Sequence, residues 1–341
     1  MSSGSSGSLK EASASFFFAR FGDDRAMPTS STFVPRLAPV LAATPLAAAM
    51  LVAALLAACA RPPPPTPGAE RPVDAVRVVV DRLRDNDPAG FAIVAIPAGL
   101  HDRLETAWRT GRSEWPLDEL PLEDRLPAML AALAAPDART TLQATFDRQF
   151  KNSGQELRSA ATSLGVFGVQ YIRNEGDYSD AEREHYAQAV SALSRWAAQA
   201  PLSDARRARG AIALLATAAS HTGIDAPDDF ANLGMDESLQ RLGPFFAAVK
   251  QTFASYGLDL DATFDSVETT LVKQTGDTAR VRVRYRLGSQ TIDSELDVRR
   301  VDGRWYLDDY LRNAEASLEG PVPRAPTLPA QATSAFGPAS P

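Results

Sequence analysis

At 341 residues, with a net charge of −7 and a single cysteine, the chain has material for one large or two ordinary domains. An acidic balance without a basic tail makes it a poor partner for nucleic acid. One thiol excludes an internal disulfide and a Cys-based metal cluster.

Residues 1–26, with Ser-Gly repeats and Phe16-Phe17-Phe18, precede a more ordinary start at Met27 and read as a non-native or misannotated extension. Residues 27–58 have the layout of a secretory signal: Arg36 is the basic flank, Leu46 to Leu56 the apolar core, and Ala57-Ala58 the small pair. The run Leu56-Ala57-Ala58-Cys59 resembles the lipobox of bacterial lipoprotein signal peptides. That resemblance implies cleavage before Cys59, a diacylglycerol on its thiol and acylation of its freed amine. Two or more acyl chains anchor stably where one anchors marginally. Ala60, where lipoproteins retained at the inner membrane carry Asp, implies the periplasmic side of a Gram-negative outer membrane. The competing reading is an uncleaved transmembrane helix, since Leu37 to Ala58 lacks charge over nearly the length a bilayer needs. Pro39, Pro45 and the cysteine at the end of the run favour the signal.

Residues 59–72 follow as a Pro-rich tether, with Pro62 to Pro65 forming a semi-rigid spacer. Residues 73–235 read as a helical block. Asp87 before Pro88 predicts an N-cap with proline at N1, opening a stretch to Trp108 that Pro97 and Gly99 break. Asp137 starts a helix carrying Leu142, Phe146 and Phe150, with Gly154 as its stop. Ser179 and Glu182 form a capping box ahead of Tyr186, Val190, Leu193 and Trp196. Ser203 precedes a helix through Ile212, Leu214 and Leu215, closed by Gly223.

Residues 236–318 read as an α+β unit. A helix from Glu237 to Tyr256 bears Leu242, Phe245, Phe246, Val249 and Phe253, after which the apolar period changes from 3.6 to 2. Strands are expected over 263–274, 278–287, 291–301 and 304–310, with Gly276-Asp277, Gly288-Ser289 and Asp302-Gly303 as tight turns. With Gly288-Ser289 at the loop, Tyr285 faces Ile292, Val281 faces Leu296 and Ala279 faces Val298. Arg284, Arg282 and Arg280 then face Asp293, Glu295 and Asp297 on the other side. A one-residue slip would turn charges into the core, so this register is strongly specified. The last turn sets Val298 against Leu307 and Arg300 against Trp305. The result is a four-stranded antiparallel meander whose apolar face the preceding helix should cover. A helix before a curved sheet ending in Val301-Asp302-Gly303-Arg304-Trp305-Tyr306 resembles the NTF2-like or cystatin-like α+β folds. Residues 319–341, rich in proline, read as a disordered tail.

Chemistry-bearing motifs are sparse. Arg280, Arg282, Arg284 and Arg286 form either an anion-binding stripe or, as the register prefers, cross-strand ion pairs. His101, His185 and His221 have no metal-ligand spacing and read as exposed helix residues. Asp228-Asp229 and Asp308-Asp309 read as solvated pairs at loop or strand ends, and Gly165 and Gly168 as close helix packing. No phosphate loop, nucleophile elbow or Cys-His pair follows the signal, so neither cofactor nor metal is expected. Trp108, Arg112 and Trp115 crowd one turn and are the candidate partner-binding residues, for an envelope protein or glycan; indoles capping the bundle are the plainer account. The expected function is that of a lipid-anchored envelope protein with a binding or structural role. The alternative, implied by the NTF2-like resemblance, is a ketosteroid-isomerase-like enzyme acting on a small apolar ligand, with Asp293, Asp297 and Tyr285 as its residues. The register already sends Tyr285 to the face opposite both aspartates.

Overall fold

The computed structural model describes residues 65–119, 126–174 and 178–319. Cys59, the signal and residues 320–341 lie outside the described residues.

Three helices open the fold: α1 (Asp74–Arg84), α2 (Pro88–Ala95) and α3 (Ala98–Arg109). Their breaks fall where the caps predict, with the Asp87 carboxylate accepting from the Gly90 N–H at 2.8 Å and Pro97 ahead of α3. Next come α4 (Leu126–Ala134), α5 (Ala138–Gln149), α6 (Gly154–Asn174) and α7 (Asp180–Gln199). Gly154 begins α6 and does not end α5; the Ser153 carbonyl already accepts from Leu157 N–H, so the new helix is under way. The Ser179–Glu182 capping box forms as expected. In α8 (Ala205–Thr222) the cap is Asp204 and not Ser203, because its carboxylate takes the N–H groups of both Arg206 and Arg207, at 2.8 and 3.0 Å. Gly223 at φ +62° closes α8, and α9 (Pro227–Leu233) and α10 (Met235–Ser255) follow.

The sheet is antiparallel in the order β1 (Glu268–Thr275), β2 (Thr278–Leu287), β3 (Gln290–Val301), β4 (Arg304–Leu307). The β2–β3 and β3–β4 registers match the expected pairs residue for residue. Asp302 at φ +50° and Gly303 at +79° make the left-handed pair that a tight hairpin needs.

Three expectations fail at the sheet's margins. Residues 263–265, expected as the start of a strand, instead end the short helix α11 (Leu260–Asp265), which the Asp259 side chain caps by accepting from Ala262 N–H at 2.9 Å. The fourth strand stops at Leu307, and α12 (Asp308–Leu318) begins with Asp308-Asp309, whose charges suit a helix N-terminus. The main cover of the sheet is also different. α10 packs chiefly on α8 and α2, whereas α7 lies over β3 and β2, α12 over β3 and β4, and α11 over β2. At the C-terminal end of α10, Phe253 joins Trp196, Leu287 and Ile292.

Apolar residues of both blocks share one buried cluster, including Val79, Leu104, Leu215 and Leu239 from helices and Val281, Val298 and Trp305 from strands. The chain enters this body through residues of the expected tether. Ala69 exchanges two backbone hydrogen bonds with Trp305, at 2.9 and 2.8 Å, and Gly68 N–H donates to the Val94 carbonyl.

Candidate functional site

The Trp108–Trp115 turn follows α3 and leads into a single 3-10 turn at Leu117–Glu119. Both indoles are inside, at 2 % and 0 % exposure. Trp108 Nε1 donates to the Phe230 carbonyl at 2.9 Å, and Trp115 Nε1 to Glu119 Oε1 at 3.0 Å. Phe91 stacks on Trp115 with ring centroids 6.3 Å apart. An indole whose N–H is satisfied and whose ring is packed offers nothing to a partner. The candidate surface therefore contracts to Arg112, which is exposed and donates from Nε to Thr110 Oγ1 at 3.0 Å. With Asp102, Arg103, Thr106 and Leu318 it lines an open groove of about 410 Å³ between α3 and the end of α12.

The arginine stripe is engaged with carboxylates, Arg284 and Arg280 on their expected opposed partners and Arg282 along a diagonal. Arg282 forks onto Asp293 with both contacts at 2.6 Å, although its direct neighbour is Glu295. Arg284 also reaches Asp293, at 3.3 Å, and Arg280 holds Asp297 at 3.0 Å. Two guanidinium groups hold the Asp293 carboxyl below the usual carboxylate range. Long side chains on a twisted pair reach diagonal partners easily.

His185 is not the exposed residue its spacing suggested. On α7 it sits with Nδ1 2.9 Å from Ser294 Oγ and Nε2 3.4 Å from the Tyr285 hydroxyl. Burial holds the imidazole below its ordinary pKa and pushes the Tyr285 phenol up to about 12. Ser294 is 5 % exposed, so the serine of this Ser-His contact is buried between α7 and β3. One turn along α7, the Gln188 amide both donates to the Asp293 carbonyl and accepts from its N–H, each at 2.9 Å. His185 and Gln188 share a helix face and clasp α7 to β3. Sequence reasoning missed them because their spacing marks a face without naming its neighbour.

Other polar candidates are structural. His101 Nε2 lies 3.0 Å from Asp236 Oδ1, and His221 is exposed. Asp229 accepts from the N–H groups of Asp225 and Ala226, capping α9. Asp308 pairs with Arg299, while Asp309 and the buried Glu182 converge on Arg312 at 2.6 and 3.1 Å. Asp293 and Tyr285 occupy opposite faces of the sheet, so carboxylate and phenol do not converge. Lys250, which motif reasoning overlooked, is 4 % exposed and donates to the carbonyls of Leu83 and Arg84 at the end of α1, with Asp261 as its ion-pair partner.

Among the described residues no group of three or more His, Cys, Asp or Glu side chains is placed to hold a metal ion, and no helix is long and apolar enough to cross a membrane. No protein family, curated protein or solved structure matches the chain.

Proposed function

We propose that the chain is a lipid-anchored protein on the periplasmic side of a Gram-negative outer membrane, with a binding or structural role in the cell envelope. The observation that carries this reading is Leu56-Ala57-Ala58-Cys59 at the end of an apolar run with a basic flank. The fold supports it by taking hold of the chain soon afterwards, at Gly68 and Ala69. A proline-rich segment reaches at most ~3.1 Å per residue, so the nine residues after Cys59 would allow no more than about 28 Å between the lipid and Gly68. The β4 edge would then lie close to the lipid surface. An envelope protein or glycan is the partner in this reading, and the Arg112 groove is its candidate surface. To the same reading belongs the assignment of residues 237–312 to the NTF2-like or cystatin-like group, supported by the Val301–Tyr306 hairpin.

Metabolic labelling with an alkyne palmitate analogue, followed by membrane fractionation, tests the anchor. Wild-type chain takes the label and sediments with outer membrane; Cys59→Ala loses both properties. A Cys59→Ala variant that still takes label refutes it.

A further inference from the structure

The sheet's edges are treated unequally. Beyond β4, the backbone of Ala69 pairs with Trp305. Where β4 stops short, the Gln188 amide occupies the free edge of β3 at Asp293. β1 is the other outer strand, and α1 reaches its entry, where Arg77 donates to the Val267 carbonyl. From Thr270 to Thr275 every residue of β1 is exposed, with Leu271 at 45 % and Val272 at 48 %. An outer strand presents a row of unpaired backbone donors and acceptors, a template for another strand.

The order of side chains along this edge selects the partner. Glu268 and Thr270 face Arg284 and Arg282 on the charged side of the sheet, while Thr269 and Leu271 face Val283 and Val281 on the apolar side. A bulge between Leu271 and Lys273 inserts one residue, which returns Lys273 to the charged side, opposite Arg280. Arg280 is already held by Asp297 at 3.0 Å, so Lys273 opposite it adds a second cation to that pair, an arrangement that favours a further carboxylate alongside.

We propose that β1 pairs antiparallel with β1 of a second copy of this chain, about a two-fold axis through Thr270. Centred there, Thr270 faces its own copy, Thr269 of each strand faces Leu271 of the other on the apolar side, and past the bulge Glu268 faces Lys273 of the second copy. Both Glu–Lys pairs form at once, and each places a carboxylate beside the Lys273–Arg280 contact. The pairing is self-complementary, as a two-fold interface must be, and joins two four-stranded sheets edge to edge.

The test uses the full chain in detergent. In an antiparallel pair, opposed Cα atoms lie about 4.5–5.5 Å apart, within the span of a disulfide. Thr270→Cys should therefore give a reducible dimer under mild oxidation at least tenfold faster than Thr275→Cys, whose copies would stand roughly 30 Å apart. The wild-type chain reports any background from Cys59. By sedimentation equilibrium, E268K or K273E alone should weaken the dimer about tenfold, and the double exchange E268K/K273E should restore it. Equal crosslinking at 270 and 275, a monomer at the highest soluble concentration, or a dimer indifferent to both reversals overturns the proposal. A monomer that instead acquires a foreign strand at β1 also overturns it.

Discussion

An exposed helical glycine replaced by alanine gains about 1 kcal/mol from helix propensity. At Gly165 the sign should reverse. A methyl there falls within the Ser194 side chain of α7, and the Ser194 Cα is only 3.8 Å from the added carbon. Ser194 cannot simply swing aside, since its Oγ donates to the Ala161 carbonyl at 2.9 Å and so ties α7 to α6. One turn on, a Cβ at Gly168 would come within 3.0 Å of Val190 Cγ1, so the helices cannot pivot about that point either. Overpacking costs ~1–3 kcal/mol and the Ser194 hydrogen bond is worth about 1 kcal/mol. After the propensity gain is subtracted, Gly165→Ala should destabilise by roughly 1–3 kcal/mol. Ser194→Gly alone loses the hydrogen bond, but in the double variant the carbon removed from α7 reappears on α6. Urea unfolding of wild type, both singles and the double gives the coupling directly, expected at about 1 kcal/mol or more in favour of the double. A Gly165→Ala chain more stable than wild type, or strictly additive effects, would refute close backbone contact between α6 and α7.

Two further expectations concern buried ionisable groups. Lys250→Met keeps the stem's packing but takes the ammonium from the Arg84 carbonyl, the Leu83 carbonyl keeping the Asn86 N–H at 3.3 Å, and should cost about 2–3 kcal/mol. Asp261→Asn, at a side chain 55 % exposed, should cost less than about 1 kcal/mol; thermal melts that rank the two equally would contradict the helix-capping role of Lys250. His185, facing Ser294 on β3, Tyr285 on β2 and Tyr186 on its own helix, has its pKa lowered by burial. The unfolded chain then binds this proton more readily, so stability should hold above about pH 6.5 and decline as pH falls through it. His185→Gln should flatten that part of a stability-versus-pH curve measured by urea unfolding, and an unchanged slope would locate the effect elsewhere.

The sheet was legible because one face is apolar and the other charged, which ties register to burial for every residue of β2 and β3. The diagonal reach of Arg282 was not, since it depends on twist and side-chain length beyond the alternation itself. Caps at Asp87, Ser179 and Gly223 were readable as local chemistry. Asp308-Asp309 carries the same signal, but it competed with β-rich neighbours and was assigned to a strand end, and Asp259, just ahead of the strand expected from Thr263, was not read as a cap. The apolar stripe of α10 marks a buried face without telling which surface buries it, so the sheet's cover was assigned to the nearest helix in sequence and not to α7. The candidate site suffered from the same gap. Trp and Arg crowding at residues 108–115 suits an interface and a core equally, and only packing on Phe230 and Phe91 separates them.

The unequal edges also make a prediction about assembly. Ala69→Pro removes the N–H that donates to the Trp305 carbonyl, and proline disfavours the conformation of the preceding Gly68, which stands at φ +62°. Losing the bond and stranding a buried carbonyl should cost about 2–4 kcal/mol, centred on residues 66–70, of which Ala69 is one member of a cluster that Leu104, Leu215 and Val281 also hold together. The consequence is a second open edge. With β4 covered, pairing through β1 closes on itself at two copies; with β4 released, each copy has two open edges and association need not close. Light scattering should then find the wild-type chain stopping at a dimer and Ala69→Pro continuing to larger species, while Ala69→Pro carrying Lys273→Glu should revert toward small ones. If Ala69→Pro lowers stability yet leaves the size distribution unchanged, the segment behind the spacer serves only to fasten the chain's entry, and control of the sheet's edges must come from elsewhere.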